Sequence, residues 1–219
     1  MATIFLVCTV HEESGSASVN QLHAILGAIH PEVVFLEVPS ETVESKIAVD
    51  MNNNLESKAL SLFQADHNIK LVPVDLPTPS REFFENYARV HKEVEEKSIK
   101  YRQLVDSDSS RVRKHGFYYL NSEYYSEDLL GINKEIEEKL ESIGNDTLKD
   151  FYSTWLYQIS LRDIAMYRNI KKYCADHSFK KGIFLVGAAH RMGIIKESQD
   201  SEFEWNYDGK GYWYPQNNT

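Results

Sequence analysis

The chain has 219 residues, 42% of them hydrophobic, and a formal net charge of −9 from 24 basic and 33 acidic side chains. That length suits one sizeable core, and the acidic balance excludes a general binder of nucleic acid or anionic membrane, which carries a basic excess. No apolar run is long enough to span a bilayer, so no membrane partner is expected.

Met1 leads almost at once into a strand, with no charged leader and no cleavable apolar segment, so no signal peptide is expected. Two cysteines, Cys8 and Cys174, make no disulfide framework. Both features fit a reducing cytoplasm, with Cys8 packed as a small buried residue.

Ile4-Phe5-Leu6-Val7 reads as a strand buried on both faces, followed by Cys8, Thr9, Val10 and His11. Ser18 and Gln21 have capping-box spacing, and Leu22, Ile25, Leu26 and Ile29 follow at helical intervals. His30-Pro31 ends that helix, because the residue before proline avoids the helical region. Val33-Val34-Phe35-Leu36 is a second strand and ends in Glu37. Strand, helix, strand is a βαβ unit, so these two strands are predicted to be parallel neighbours.

Residues 40–66 read as two short helices separated by Asn52-Asn53-Asn54. Glu56, near the start of the second, suits the positive end of the helix dipole, or else belongs to a site. Lys70–Asp75 is a third strand; Pro73 suggests an irregular or edge position, and Asp75 ends it. Ser80 caps a long helix to about Val105, with Phe83, Tyr87, Val90, Val94, Tyr101 and Val105 as its stripe. Residues 106–126 break the pattern with Asp106–Ser110, basic residues to His115, and the aromatics Phe117, Tyr118, Tyr119, Tyr124 and Tyr125. They read as a lid or substrate-contact loop, or as an aromatic packing surface. Ser126 opens a helix that Gly144 ends.

A helix from about Asp146 to His177 places Arg162 on its apolar stripe and Arg168 off it. A buried guanidinium must be paired, so a carboxylate or ligand anion should face it. Gly182 to Gly193, GIFLVGAAHRMG, then repeats the opening device: Ile183-Phe184-Leu185-Val186, three small residues, and His190. Asp208-Gly209 between aromatic runs signals a closing hairpin. The expected fold is a single α/β domain over 1–219: a mostly parallel central sheet with flanking helices, a helical insertion at about 80–145, and a C-terminal β-hairpin.

Four strands thus end in His11, Glu37, Asp75 and His190. If they are parallel, these side chains gather at one carboxyl edge, where open α/β sheets bind ligands. His11, Glu37 and His190 form a plausible set for a divalent metal, which would acidify a water. Without metal, His11 or His190 would act as base and Glu37 would orient it. Arg162 would neutralise an oxyanion or hold a substrate carboxylate. There is no GxGxxG, P-loop, GxSxG, HExxH or CxxC pattern, so the chemistry rests on scattered residues.

These residues resemble the pattern of the TraB/PrgY/Tiki superfamily, which includes ChaN-like proteins and erythromycin esterases. That pattern is GxxH after a first strand, a glutamate ending the second, a helical arginine, and a GxxH after a late strand. Here it reads VCTVH, VVFLEVP, RDIAMYRNI and VGAAH, with Glu56 and the Asp75 of VPVD resembling two further positions, in order from residue 3 to about 195. Cys8 stands where the family usually has glycine, and a side chain there would narrow the approach to His11. The resemblance implies an α/β core with a helical insertion. It also implies a hydrolase of peptide or ester bonds, metal-dependent as in Tiki-like members or histidine-based as in erythromycin esterases. The substrate would be a small molecule or a peptide. The ChaN-like alternative is a non-catalytic protein that binds haem or a small anion, for which the Tyr- and His-rich segment 115–125 would serve. A third reading uses the aromatic C-terminal ribbon as a surface for a partner or for oligomerisation.

Overall fold

The computed structural model describes residues 2–42 and 53–213. The first of the two short helices expected between 40 and 66 lies outside the described residues. Five strands form one sheet: β1 (Thr3–Thr9), β2 (Val33–Pro39), β3 (Lys70–Asp75), β4 (Lys181–Gly187) and β5 (Glu204–Asn206). All pairings are parallel, in the order β3-β2-β4-β1-β5. β1 and β2 are therefore parallel but not neighbours, because β4 inserts between them. The reason lies in β4 itself: Gly182 to Val186 are all buried, and a run apolar on both faces is most stable at the centre of a covered sheet.

The two copies of Ile-Phe-Leu-Val are not equivalent in the sheet. The register pairs Phe5 with Ile183 and Leu6 with Phe184, one residue out of step with the repeat. Paired residues share a face and successive residues alternate, so like positions of the two copies point to opposite faces. His11 and His190 consequently reach the carboxyl edge by different routes.

The helices are α1 (Val19–Ile29), α2 (Leu55–Gln64), α3 (Arg81–Lys97), α4 (Ile99–His115), α5 (Phe117–Leu120), α6 (Glu123–Ile143), α7 (Asp146–Asp176) and α8 (Arg191–Glu197), with a 3-10 turn at Ala188–His190. Ser18, Asn54, Ser80, Ser98, Ser122 and Asn145 cap their helices through side-chain oxygens. Among the described residues no helix is long and apolar enough to cross a membrane.

The insertion corrects two expectations. The helix that opens at Ser80 stops at Lys97, because Ser98 turns extended, accepts the Tyr101 amide at 3.0 Å and donates to the buried Glu135 at 2.6 Å. Residues 106–126 form no loop or lid: Asp106–Ser110 are helical within α4, and α5 and α6 follow directly, with Ser122 capping α6 where Ser126 was expected to open it. Tertiary contacts override the weak helix propensity of the Asp and Ser run. Tyr119 turns inward, its hydroxyl within hydrogen-bond distance of both Asp108 at 2.8 Å and Asp128 at 2.6 Å. A separate apolar cluster of Val90, Val94, Tyr101, Ile136, Leu140 and Tyr152 holds α3, α4, α6 and α7 together. Tyr87 stacks on Trp155 beside it, ring centroids 3.7 Å apart.

Asn121 ties the insertion to the sheet. β5 pairs with β1 only from Thr3 to Phe5, so beyond Phe5 that edge of β1 lacks a strand. The Asn121 amide takes its place, accepting from the Cys8 N–H at 2.7 Å and donating to the Cys8 carbonyl at 3.1 Å.

The expected hairpin is also corrected. β5 joins the sheet edge in parallel with β1, and Lys210–Trp213 form a turn rather than a returning strand. Gly209 has φ +67° and lies so close against the Trp213 ring that a Cβ there would overlap it. The aromatic ring folds onto the turn instead of extending a second strand.

Candidate active site

Glu37, Asp75, His11 and His190 all lie at or just beyond the carboxyl ends of parallel strands. Arg162 reaches them from α7: its Nε lies 3.2 and 3.1 Å from the two Asp75 oxygens, and its Nη2 lies 2.6 Å from Asp75 Oδ2. The same Nη2 donates to Glu37 Oε1 at 2.5 Å. This is the partner that a guanidinium on a buried stripe requires, and the fork geometry suits arginine rather than lysine. None of these four bonds uses Nη1.

Glu37 is a shared acceptor. Its Oε2 takes the Gly187 N–H at 2.6 Å, and its Oε1 stands 3.3 Å from His190 Nε2. Gly187 explains itself by this contact: a Cβ there would come within 3.2 Å of Glu37 Oε2. Burial opposes the charge on Glu37, but the His190 ring, the Arg162 guanidinium and the Gly187 amide overcome it and hold the carboxyl well below its usual range.

His190 is 3% exposed. Its Nδ1 pairs with Asp163 Oδ1 at 2.5 Å. Burial favours the neutral ring, but bonds to Asp163 and Glu37 outweigh burial and push the imidazole up to about 9. His190 is thus a buried imidazolium near neutral pH, its Nδ1 donating to Asp163 and its Nε2 paired with Glu37. Two cations, Arg162 and His190, interlock with three carboxylates, Glu37, Asp75 and Asp163.

Asp163 was not among the residues singled out from the sequence. Its signal was available: Asp163, Met166 and Ile170 stand at i, i+3 and i+7 of one helix, all buried. An acid on that stripe needs a partner as much as Arg162 does. Gly193 belongs with it, since a Cβ there would overlap the Asp163 carboxylate.

His11 is different. Its side chain is 65% exposed, and its Nδ1 lies 3.3 Å from Glu56 Oε1. Glu56 is 5% exposed, and the same oxygen accepts the Thr9 hydroxyl at 2.5 Å. The bond to Glu56 is the main cause that raises the His11 pKa; burial and Arg162 work against it, and Glu37 adds to it. The Leu55 N–H at the start of α2 donates to the His11 carbonyl at 2.9 Å and anchors the loop. Glu56 thus does more than meet a helix dipole. Glu56 Oε2 is buried with no partner among the described residues.

Cys8 is fully buried, and the strand alternation sends it to the face opposite Thr9. Burial pushes its thiol up to about 11 against the pull of the Arg191 guanidinium. It packs inward.

The three residues expected to share a metal, His11, Glu37 and His190, do not fit one as arranged. Both Glu37 oxygens and both His190 nitrogens are committed, and the Arg162 guanidinium takes the cation's place between Glu37 and Asp75. Among the described residues no group of three or more His, Cys, Asp or Glu side chains forms a ligand set. Two surface hollows, of about 550 and 470 Å³, are lined by other residues: Arg89, Lys92 and Leu148 in the insertion, and Lys171, Cys174 and Phe179 beside the sheet.

No family model matches the chain, and no curated protein and no solved structure matches it.

Proposed function

We propose that the chain is a hydrolase of an ester or peptide bond, with His11 as its general base and no resident metal in the mechanism. The observation that carries this reading is the His11–Glu56 pair, an exposed imidazole backed by a buried carboxylate. A carboxylate only accepts, so it holds the proton on Nδ1 of the neutral ring and leaves the Nε2 lone pair toward solvent. His11 Nε2 takes a proton from a water as the water oxygen bonds to the substrate carbonyl carbon. Arg162 Nη1 donates to the oxyanion that forms. The carbonyl then re-forms, the bond to the leaving group breaks, and His11 returns the proton to it. His190 is not the base in this scheme, because an imidazolium has no lone pair; it holds Glu37, and through Glu37 the guanidinium. The motif order that resembles the TraB/PrgY/Tiki superfamily supports the same reading on its histidine-based side.

The test is hydrolysis of an activated ester such as 4-nitrophenyl acetate, followed with chelator present. His11→Ala should lower kcat by about 100-fold or more, the usual worth of a general base. Full activity in that variant would end the proposal.

A further inference from the structure

The sheet has a second polar edge, opposite the candidate active site. His30 precedes β2 and His67 precedes β3, so in a parallel pair both stand at the amino ends of the strands. Their ring centroids are 5.7 Å apart, with the planes inclined at 44°. We propose that His30 and His67 form a binding site for a borderline transition cation such as Zn(II), Ni(II) or Cu(II), completed by water.

Three features support this assignment. His67 is preorganised: its ring lies flat on Phe63, centroids 4.0 Å apart and planes 3° apart, and its Nδ1 is 3.1 Å from the Phe63 carbonyl. A carbonyl can only accept, so Nδ1 carries the proton and Nε2 keeps its lone pair whenever the ring is neutral. That is the arrangement which metal-ligating histidines use to fix tautomer and direction. His30 adds a backbone outlier. It closes α1 in the left-handed region at φ 52°, ψ 65°, a position that glycine or asparagine fills at lower cost. That cap fixes where the ring leaves the helix end. The separation fits as well: with metal–nitrogen bonds of about 2.1 Å, two imidazole centroids sharing one cation stand about 5–6 Å apart.

His177 shows what the same device looks like as a helix end alone. It stacks on Tyr173, centroids 4.0 Å apart, with Nδ1 3.1 Å from the Tyr173 carbonyl. His67 has in addition a second imidazole across from it. Zn(II), Ni(II) and Cu(II) all accept imidazole nitrogen, and a net charge of −9 favours any cation. The site stands independently of the hydrolase reading.

The experiment is titration of the intact protein with Zn(II) alone by calorimetry, with Cu(II) broadening of imidazole NMR signals as the second readout. Four variants accompany it. His30→Asn keeps a residue that tolerates the left-handed backbone, and His67→Phe keeps the stack on Phe63. His177→Phe and His11→Ala are controls. One saturable site is expected, weakened at least tenfold by His30→Asn and by His67→Phe and unchanged in both controls. Absence of saturable binding, binding indifferent to His30→Asn or His67→Phe, or binding abolished by His11→Ala would each overturn the proposal.

Discussion

At the scale of single residues, the site is an arrangement in which charges justify one another. Arg162 is 15% exposed at its side chain, Glu37 14% and Asp75 5%. Charges this deep are tolerated only because every one meets an opposite charge in good geometry. The consequence is asymmetric. Replacing Arg162 by Met preserves length and apolar contact but leaves Asp75 without its cation and Glu37 with His190 alone. The expected cost is about 3–5 kcal/mol of stability, the usual effect of breaking one member of a buried ionic cluster. Urea denaturation of Arg162→Met against the parent chain measures it, and a loss below about 1 kcal/mol would contradict the interlocked geometry. Arg162→Lys should fall short of rescue, because a point ammonium cannot serve Asp75 through two nitrogens while reaching Glu37.

At the scale of elements, the sheet depends on a side chain from the insertion. Asn121 is fully buried and satisfies both backbone groups of Cys8 where β5 no longer reaches. Asn121→Ala leaves a buried N–H and a buried carbonyl unpaired, so a loss of about 2–6 kcal/mol is expected at roughly 1–3 kcal/mol for each orphaned group. Amide exchange at Cys8 should accelerate relative to Ile4, whose N–H faces the same edge and keeps β5 as its neighbour. Equal protection at both amides would show that Asn121 is dispensable. How much of this the sequence discloses follows from the range of each interaction. The strand runs, the Ser18 and Ser80 caps and the stripe that carries Arg162 are local patterns visible in the chain. The convergence of Glu37, Asp75 and Arg162 was also legible, because strand ends and a buried arginine constrain one another. The insertion of β4 between β1 and β2 was not, since sequence order says little about order across a sheet. Nor was the continuation of α4 through Asp106–Ser110, where packing of Tyr101 and Val112 overrides local preference. The C-terminal turn misled for a similar reason: Asp208-Gly209 has hairpin chemistry, but the open edge of β1 claims β5 and Trp213 folds back on Gly209.

At the scale of the whole molecule, the buried cluster links folding to pH in a definite direction. His190 rises from an ordinary 6.5 to about 9 in the folded chain. A group raised on folding contributes its full stabilisation below the unfolded value and loses it as pH climbs through the folded one. The contribution from His190 is therefore complete below about pH 6.5 and declines toward pH 9, by about 3 kcal/mol at 1.36 kcal/mol per unit. Glu37 acts at the other limb. Its folded value lies below the usual 4.5, so its stabilisation is present above that value and drains away on acidification. Together the two groups place the stability maximum between about pH 4.5 and 6.5, and the growing negative charge of an acidic chain steepens the alkaline fall. Urea unfolding at intervals from pH 4 to 10 traces the curve, and NMR titration of the His190 ring assigns the alkaline limb. Asp163→Asn removes one of the two carboxylates that hold the proton on His190. It should move the ring's titration toward neutrality and flatten the decline between pH 6.5 and 9, while leaving the acid limb set by Glu37 in place. A parent chain whose stability is level across that interval would mean that His190 is neutral, and its ring would then offer a lone pair to the site after all.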